Sequence, residues 1–127
     1  MTKAPRTSVQ RAVEALQEAR VPPPDPPAHV RLRPGDLPFW RDVLDGKGAV
    51  DWCAYELPLA AQLARAWNDL QRESDLLDRE PKVFRFPGGQ TKQNPRVKVI
   101  ESISARALLL ARQLRVHHGV ARPQVNS

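Results

Sequence analysis

The stretch from Gly88 to Gly119 constrains the fold more than any other part of the chain. It opens on a glycine pair, Gly88-Gly89, which marks a turn. Asn94 then offers a side-chain oxygen that can accept from the free N–H groups of a first helical turn. Pro95 follows at the first helical position, where its missing N–H costs nothing and its fixed φ suits the helix. Gly119 can take the left-handed conformation without a Cβ penalty, so it reads as the stop. These signals predict one helix of about 23 residues, roughly 35 Å long. At about 100° per residue, Val97, Ile100, Ile103, Ala107, Leu108, Leu110, Ala111 and Leu114 cover close to half its circumference. A single packing partner needs a stripe of only roughly 100°. The extra width predicts a helix wedged against two neighbours, and in so short a chain one of them can belong to another copy.

With 127 residues the chain fits one domain. It can bury a modest core, which oligomerisation would enlarge. The single Cys53 excludes an internal disulfide and a cysteine metal cluster, and points to a reducing compartment. No apolar run approaches the ~20 residues of a membrane helix. Met1-Thr2-Lys3-Ala4-Pro5-Arg6 lacks the apolar core of a signal peptide. A soluble intracellular protein without membrane contact is expected. The net charge of +6 is unevenly spread. Residues 1–35 carry +3, residues 36–80 carry −5, and residues 81–127 carry +8. A basic final third after an acidic middle suggests a polyanion partner, self-complementary packing, or both.

Taken in order, residues 1–21 form a basic segment. Thr7 or Ser8 can cap a short helix with Val9, Ala12, Val13, Leu16 and Ala19 on one side. Alone in water such a helix is marginal. Residues 22–34 form a linker, semi-rigid because the prolines of Pro22-Pro23-Pro24-Asp25-Pro26-Pro27 fix φ and remove donors. Residues 35–118 form a helical core and oligomerisation domain, and residues 119–127 a loose tail. Within the core, Asp36 is expected to cap a helix with Pro38 in its first turn, Phe39, Trp40, Val43 and Leu44 on its apolar side, and Gly46 and Gly48 after it. Asp51 is expected to cap a long helix reaching about Arg79. On that helix Trp52, Tyr55, Leu59, Leu63, Ala66, Trp67, Leu70 and Leu77 share a face, while Arg65, Asn68, Arg72 and Asp75 lie opposite. Pro58 predicts a kink or a break in it. Lys82-Val83-Phe84-Arg85-Phe86 alternates in polarity, so a β-hairpin over about 82–93 is expected between two antiparallel long helices, with Lys82, Arg85 and Lys92 near its tip. The fold class is mainly α.

Catalytic patterns are missing. Gly88-Gly89-Gln90-Thr91-Lys92 lacks the spacing of a phosphate loop. His117 and His118 are adjacent, so their side chains diverge on a helix, whereas a helical metal pair needs i, i+4 spacing. Cys53 has no basic neighbour to activate it. The reading is of a non-enzyme with no cofactor and no metal.

Several motifs in this order resemble the small subunits of tailed-bacteriophage terminases. They are Asp36-Leu37-Pro38-Phe39-Trp40-Arg41-Asp42, Ala60-Ala61-Gln62-Leu63-Ala64-Arg65-Ala66, the turn before Gln93-Asn94-Pro95, and the run from Leu108 to Val116. The likeness covers about residues 33–118. It implies a non-enzymatic DNA-packaging component in the infected host cytoplasm. Such a component forms a homo-oligomeric ring of roughly eight to ten copies. It recognises a packaging site on double-stranded viral DNA and hands that DNA to a large subunit holding the ATPase and nuclease. Charge and exposure nominate Arg31, Arg33, Lys82, Arg85, Lys92, Arg96 and Lys98 as phosphate contacts. Trp40, Leu59, Leu63, Trp67, Leu70, Ile103, Leu108, Leu110 and Leu114 are nominated for the core or the subunit interface. Two rival readings stay open: a small helical transcription regulator, and a structural phage connector that does not bind DNA.

Overall fold

The computed structural model describes residues 7–20 and 22–116. Helix α1 spans Ser8–Arg20, α2 spans Leu37–Leu44 and α3 spans Leu57–Asp78. Strands β1 (Val83–Arg85) and β2 (Thr91–Gln93) form a two-stranded antiparallel sheet, and α4 spans Pro95–Leu114. The fold is mainly helical with one small hairpin.

Helices α3 and α4 pack along each other, and α2 packs on α3. Contacts at both ends fix the antiparallel sense of the long pair. Arg96, in the first turn of α4, meets Glu73 near the far end of α3 and Glu80 just beyond it. At the other end the Lys47 ammonium bridges Glu56, just before α3, and the Leu114 carbonyl, the last of α4, at 2.8 Å each. The core between the three helices is built from Trp40, Val43, Leu44, Ala60, Ala61, Leu63, Ala64, Ala107, Leu110, Ala111 and Leu114. Alanines from both α3 and α4 line this core, and Leu63 and Leu114 are its largest fully buried side chains.

Asn94 behaves as its sequence position predicts. Its Oδ1 accepts from the Arg96 N–H at 3.0 Å, and its Nδ2 donates to the Pro81 carbonyl at 3.1 Å. It therefore caps α4 and ties it to the chain leaving α3 while only 3 % exposed. The other end of α4 departs from expectation. The helix stops at Leu114, and Arg115 takes the left-handed conformation at φ 57°. The Val116 N–H then donates back to the Ala111 carbonyl at 3.1 Å, closing a Schellman-type turn. The cause is tertiary. Val116 folds inward and is buried against Gly46, where a Cβ would lie 2.2 Å from Val116 Cγ1. The expected stop at Gly119, the histidine pair and the tail lie outside the described residues, as do Lys3 and Arg6.

The start of α3 also differs. No helix begins at Asp51. Residues Ala49–Asp51 and Ala54–Glu56 form separate 3-10 turns, with Trp52 and Cys53 extended between them. Pro58 sits in the first turn of α3, where proline is tolerated, and so it opens the helix instead of kinking it. Trp52 consequently leaves the helical face assigned to it. Its indole N–H donates to the Leu44 carbonyl at 3.1 Å, and the Lys47 ammonium sits 4.3 Å from its ring centroid. Tyr55, expected on the apolar face, is exposed at 75 %. Asn68, expected on the polar side, is buried.

Asp36 stands at the start of α2 as expected, yet its side chain makes no capping bond to that helix. It turns back to Arg33 instead. Its carboxylate accepts from the Arg33 backbone N–H at 2.7 Å, from Arg33 Nε and Nη2 at 2.9 Å, and from Asn68 Nδ2 at 2.7 Å. The group is fully buried. It joins the segment before α2 to the middle of α3, a link that a helix cap could not provide.

At the N-terminus, Thr7 Oγ1 accepts from the Gln10 N–H at 3.2 Å, and the Gln10 side chain accepts from the Thr7 N–H at 2.9 Å, a reciprocal cap for α1. Val9, Val13 and Leu16 on this helix stay exposed.

Candidate nucleic-acid interface

The hairpin is set by local chemistry. Phe86 O accepts from the Gly89 N–H at 3.1 Å, and the Phe86 N–H donates to Gln90 O at 2.8 Å. Pro87 and Gly88 take the two central positions of this turn. Gly88 has φ 98° and Gly89 φ 87°, values that a side chain would strain. The register pairs Val83 with Gln93, Phe84 with Lys92, and Arg85 with Thr91. Neighbouring residues on a strand point to opposite faces. Arg85 therefore shares one face with Val83, Thr91 and Gln93, and Lys92 shares the other with Phe84.

This placement corrects one expectation. The cations lie along the stem of the ribbon, and Pro87-Gly88-Gly89 form its tip. The ribbon is solvent-exposed apart from a half-buried Phe84, so each face presents one cation to solvent. Lys82 stands at the base, where its carbonyl accepts from the Asn94 N–H at 2.9 Å. Lys98 is exposed one turn into α4. Among the described residues, Lys82, Arg85, Lys92 and Lys98 have no carboxylate partner.

Two other nominated cations are engaged within the chain. Arg33 pairs with Asp36 and, at 2.8 Å, with Asp69. The hydrogen bond to Asp36 is the main reason its guanidinium holds its proton more tightly than a free arginine. Arg96 pairs with Glu80 and Glu73, and the bond to Glu80 contributes most to the upward shift of its pKa. Part of the sequence's charge asymmetry is thus internal matching between the acidic α3 region and flanking arginines. Arg31 is exposed, and its carbonyl accepts from Arg65 Nη1 at 2.6 Å. Sequence does not single out Arg65, because an arginine on the polar side of a helix carries no signal of what it faces.

The nominated apolar residues divide by depth. Trp40, Leu63, Leu110 and Leu114 are buried. Leu59, Trp67 and Ile103 are half-buried against the core, and Leu70 is half-buried. Leu108 is 53 % exposed and does not belong to the core of the single chain. It lines an open groove of about 640 Å³ with Trp67, Leu70, Ala107 and Ala111, where Arg112 and Arg115 also contribute. Val99 and Leu109 are exposed as well. At about 100° per residue, Leu108 lies on one side of the buried stripe of α4 and Val99 on the other, with Leu109 farther round. The wide apolar arc read from sequence is therefore a buried centre with one uncovered edge at Leu108, and Val99, which that arc did not include, adds a second uncovered flank.

Among the described residues, no helix is long and apolar enough to cross a membrane, and no cluster of His, Cys, Asp and Glu is placed to hold a metal ion. No curated protein sequence matches the chain. The model of the Hendrixvirinae small terminase family matches residues 1–124. An α-helical pair joined by a cation-bearing hairpin, with the Asn94-Pro95 helix start and this match over nearly the whole length, leads to one conclusion: the chain belongs to the Hendrixvirinae small terminase family and is a phage DNA-packaging small subunit.

Proposed function

We propose that this chain assembles into a closed homo-oligomeric ring, binds the packaging-initiation region of viral DNA, and delivers it to the large terminase subunit in the infected host cytoplasm, without catalysis of its own. The observation that carries this reading is the projecting hairpin with Lys82, Arg85 and Lys92 unpaired, beside the exposed Lys98 on α4. Cations left without internal partners are suited to phosphates, and release of condensed counterions drives such binding. Repetition around a ring lets individually weak contacts act together. Arg33 and Arg96 are assigned to holding the fold, since moving either to a phosphate would strand its carboxylates. Residues 35–118 are assigned as the oligomerising unit, with 1–21 as a basic extension on the 22–34 linker and 119–127 as a tail.

Assembly is ascribed to the two uncovered flanks of α4. The Leu108 groove and the Val99 side are different surfaces, as a heterologous contact requires, and a heterologous contact that closes gives a ring. Leu108→Glu with Leu109→Glu places two charges on positions already exposed in the single chain, so folding should be retained. The expected result is a monomer by sedimentation velocity, with an unchanged helical circular dichroism spectrum. An intact assembly in this variant would remove the Leu108 groove from the interface.

A further inference from the structure

A second cationic feature lies away from the hairpin. His29, Val30, Arg31, Gln62 and Arg65 line a surface pocket of about 450 Å³. Gln62 and Arg65 stand three apart on α3 and so share a face of that helix. Arg65 is held in place by its Nη1 hydrogen bond to the Arg31 carbonyl at 2.6 Å. A guanidinium has five N–H donors, so this bond leaves most of them available. No carboxylate lines the pocket. Neither Arg31 nor Arg65 has a carboxylate partner among the described residues, whereas Arg33, two positions from Arg31, is neutralised by Asp36 and Asp69. The chain thus places its local carboxylates on one arginine and leaves two others charged around a shared hollow.

We propose that His29, Arg31, Gln62 and Arg65 form a phosphate-binding site, separate from the hairpin, that takes a backbone phosphate of bound DNA. Two guanidinium groups, an amide and an imidazole supply donors and positive charge where an anion would sit, and guanidinium forks match phosphate oxygens. His29, Arg31 and Gln62 are exposed, so the hollow is shallow. A shallow site suits a phosphate presented on a polymer more than a small molecule, which needs an enclosing cleft. This inference rests on the reading of the chain as DNA-binding.

The test compares full-length wild type, Arg65→Gln, Arg65→Lys and Arg31→Gln, with Arg85→Ala/Lys92→Ala alongside. Duplex affinity is measured by fluorescence anisotropy across a salt series, and inorganic phosphate binding by calorimetry. Arg65→Gln is expected to reduce the salt slope by about 0.9 for each phosphate it no longer neutralises, with Arg65→Lys retaining most of it. Arg31→Gln keeps the backbone carbonyl that holds Arg65, so it carries the test should Arg65→Gln unfold. Slopes unchanged in Arg65→Gln and Arg31→Gln, with the hairpin variant reduced, would overturn the pocket and leave the DNA reading standing. Phosphate binding that Arg65→Gln abolishes without altering the duplex slope would overturn DNA as the source and assign the site to free phosphate. Wild type that binds no duplex would overturn the parent reading along with this one.

Discussion

Asp36→Ala is expected to cost about 3–5 kcal/mol of unfolding free energy, a large part of the roughly 5–15 kcal/mol that a domain possesses. The carboxylate is fully buried and receives four hydrogen bonds from Arg33 and Asn68. Removing it strands the Asn68 amide and one side of a half-buried guanidinium, and stranded buried donors keep their full desolvation cost. Gly35 lies against the same site, where a Cβ would be 3.1 Å from Asn68 Nδ2. Arg33→Met combined with Asp36→Leu should cost less than Asp36→Ala alone, because that pair of changes removes both charges together. Urea unfolding followed by circular dichroism measures all three proteins, the two variants and the wild type.

Acid provides an independent route to the same bond. Burial alone would raise the Asp36 pKa, but the hydrogen bonds from Arg33 and Asn68 outweigh it and hold it at about 2, below the ordinary 3.8. A carboxylate depressed in the folded state contributes stability that is fully present above its unfolded pKa and is lost as pH falls through its folded pKa. The Asp36 contribution, about 2 kcal/mol, should therefore be constant above roughly pH 5 and disappear between there and about pH 1. Asp36→Asn should flatten that part of the pH–stability curve.

The second large effect concerns DNA. Arg85→Ala with Lys92→Ala should lower the salt slope of duplex binding by roughly 2 for each subunit engaged, at about 0.9 per neutralised phosphate. In the proposed ring, where several subunits would act on one duplex, the affinity loss at moderate salt should span orders of magnitude. The register adds a geometric prediction. Arg85 and Lys92 lie on opposite faces of the ribbon. The major groove admits a two-stranded ribbon, and one that enters tip first on edge would turn each face toward one phosphate backbone. Each single alanine variant should then reduce the slope about equally. A slope that responds to only one of them would mean that the ribbon lies flat on the backbone.

The legible parts of the fold are those decided within a few residues. The turn at Pro87-Gly88-Gly89, the strands beside it and the Asn94-Pro95 helix start each depend on local backbone chemistry, and each is found as read. The parts misread depend on distant partners. Arg115 adopts a left-handed conformation normally left to glycine because Val116 has a place against Gly46, and Lys47 takes the last helical carbonyl. Asp36 neglects its own helix because Arg33 and Asn68 offer more. The site divides the same way. Sequence locates Arg33, Arg96, Arg85 and Lys92 as equivalent positive charges, and only the folded chain distinguishes the two that face carboxylates from the two that face solvent.

In the proposed mode of action these subunits work on DNA as a closed assembly. Native mass spectrometry of the purified protein, with and without a duplex, tests it most directly. One dominant oligomer well above a dimer is expected, gaining the mass of duplex DNA without changing its subunit number. A monomer or dimer, or a large oligomer that never acquires DNA, would contradict it.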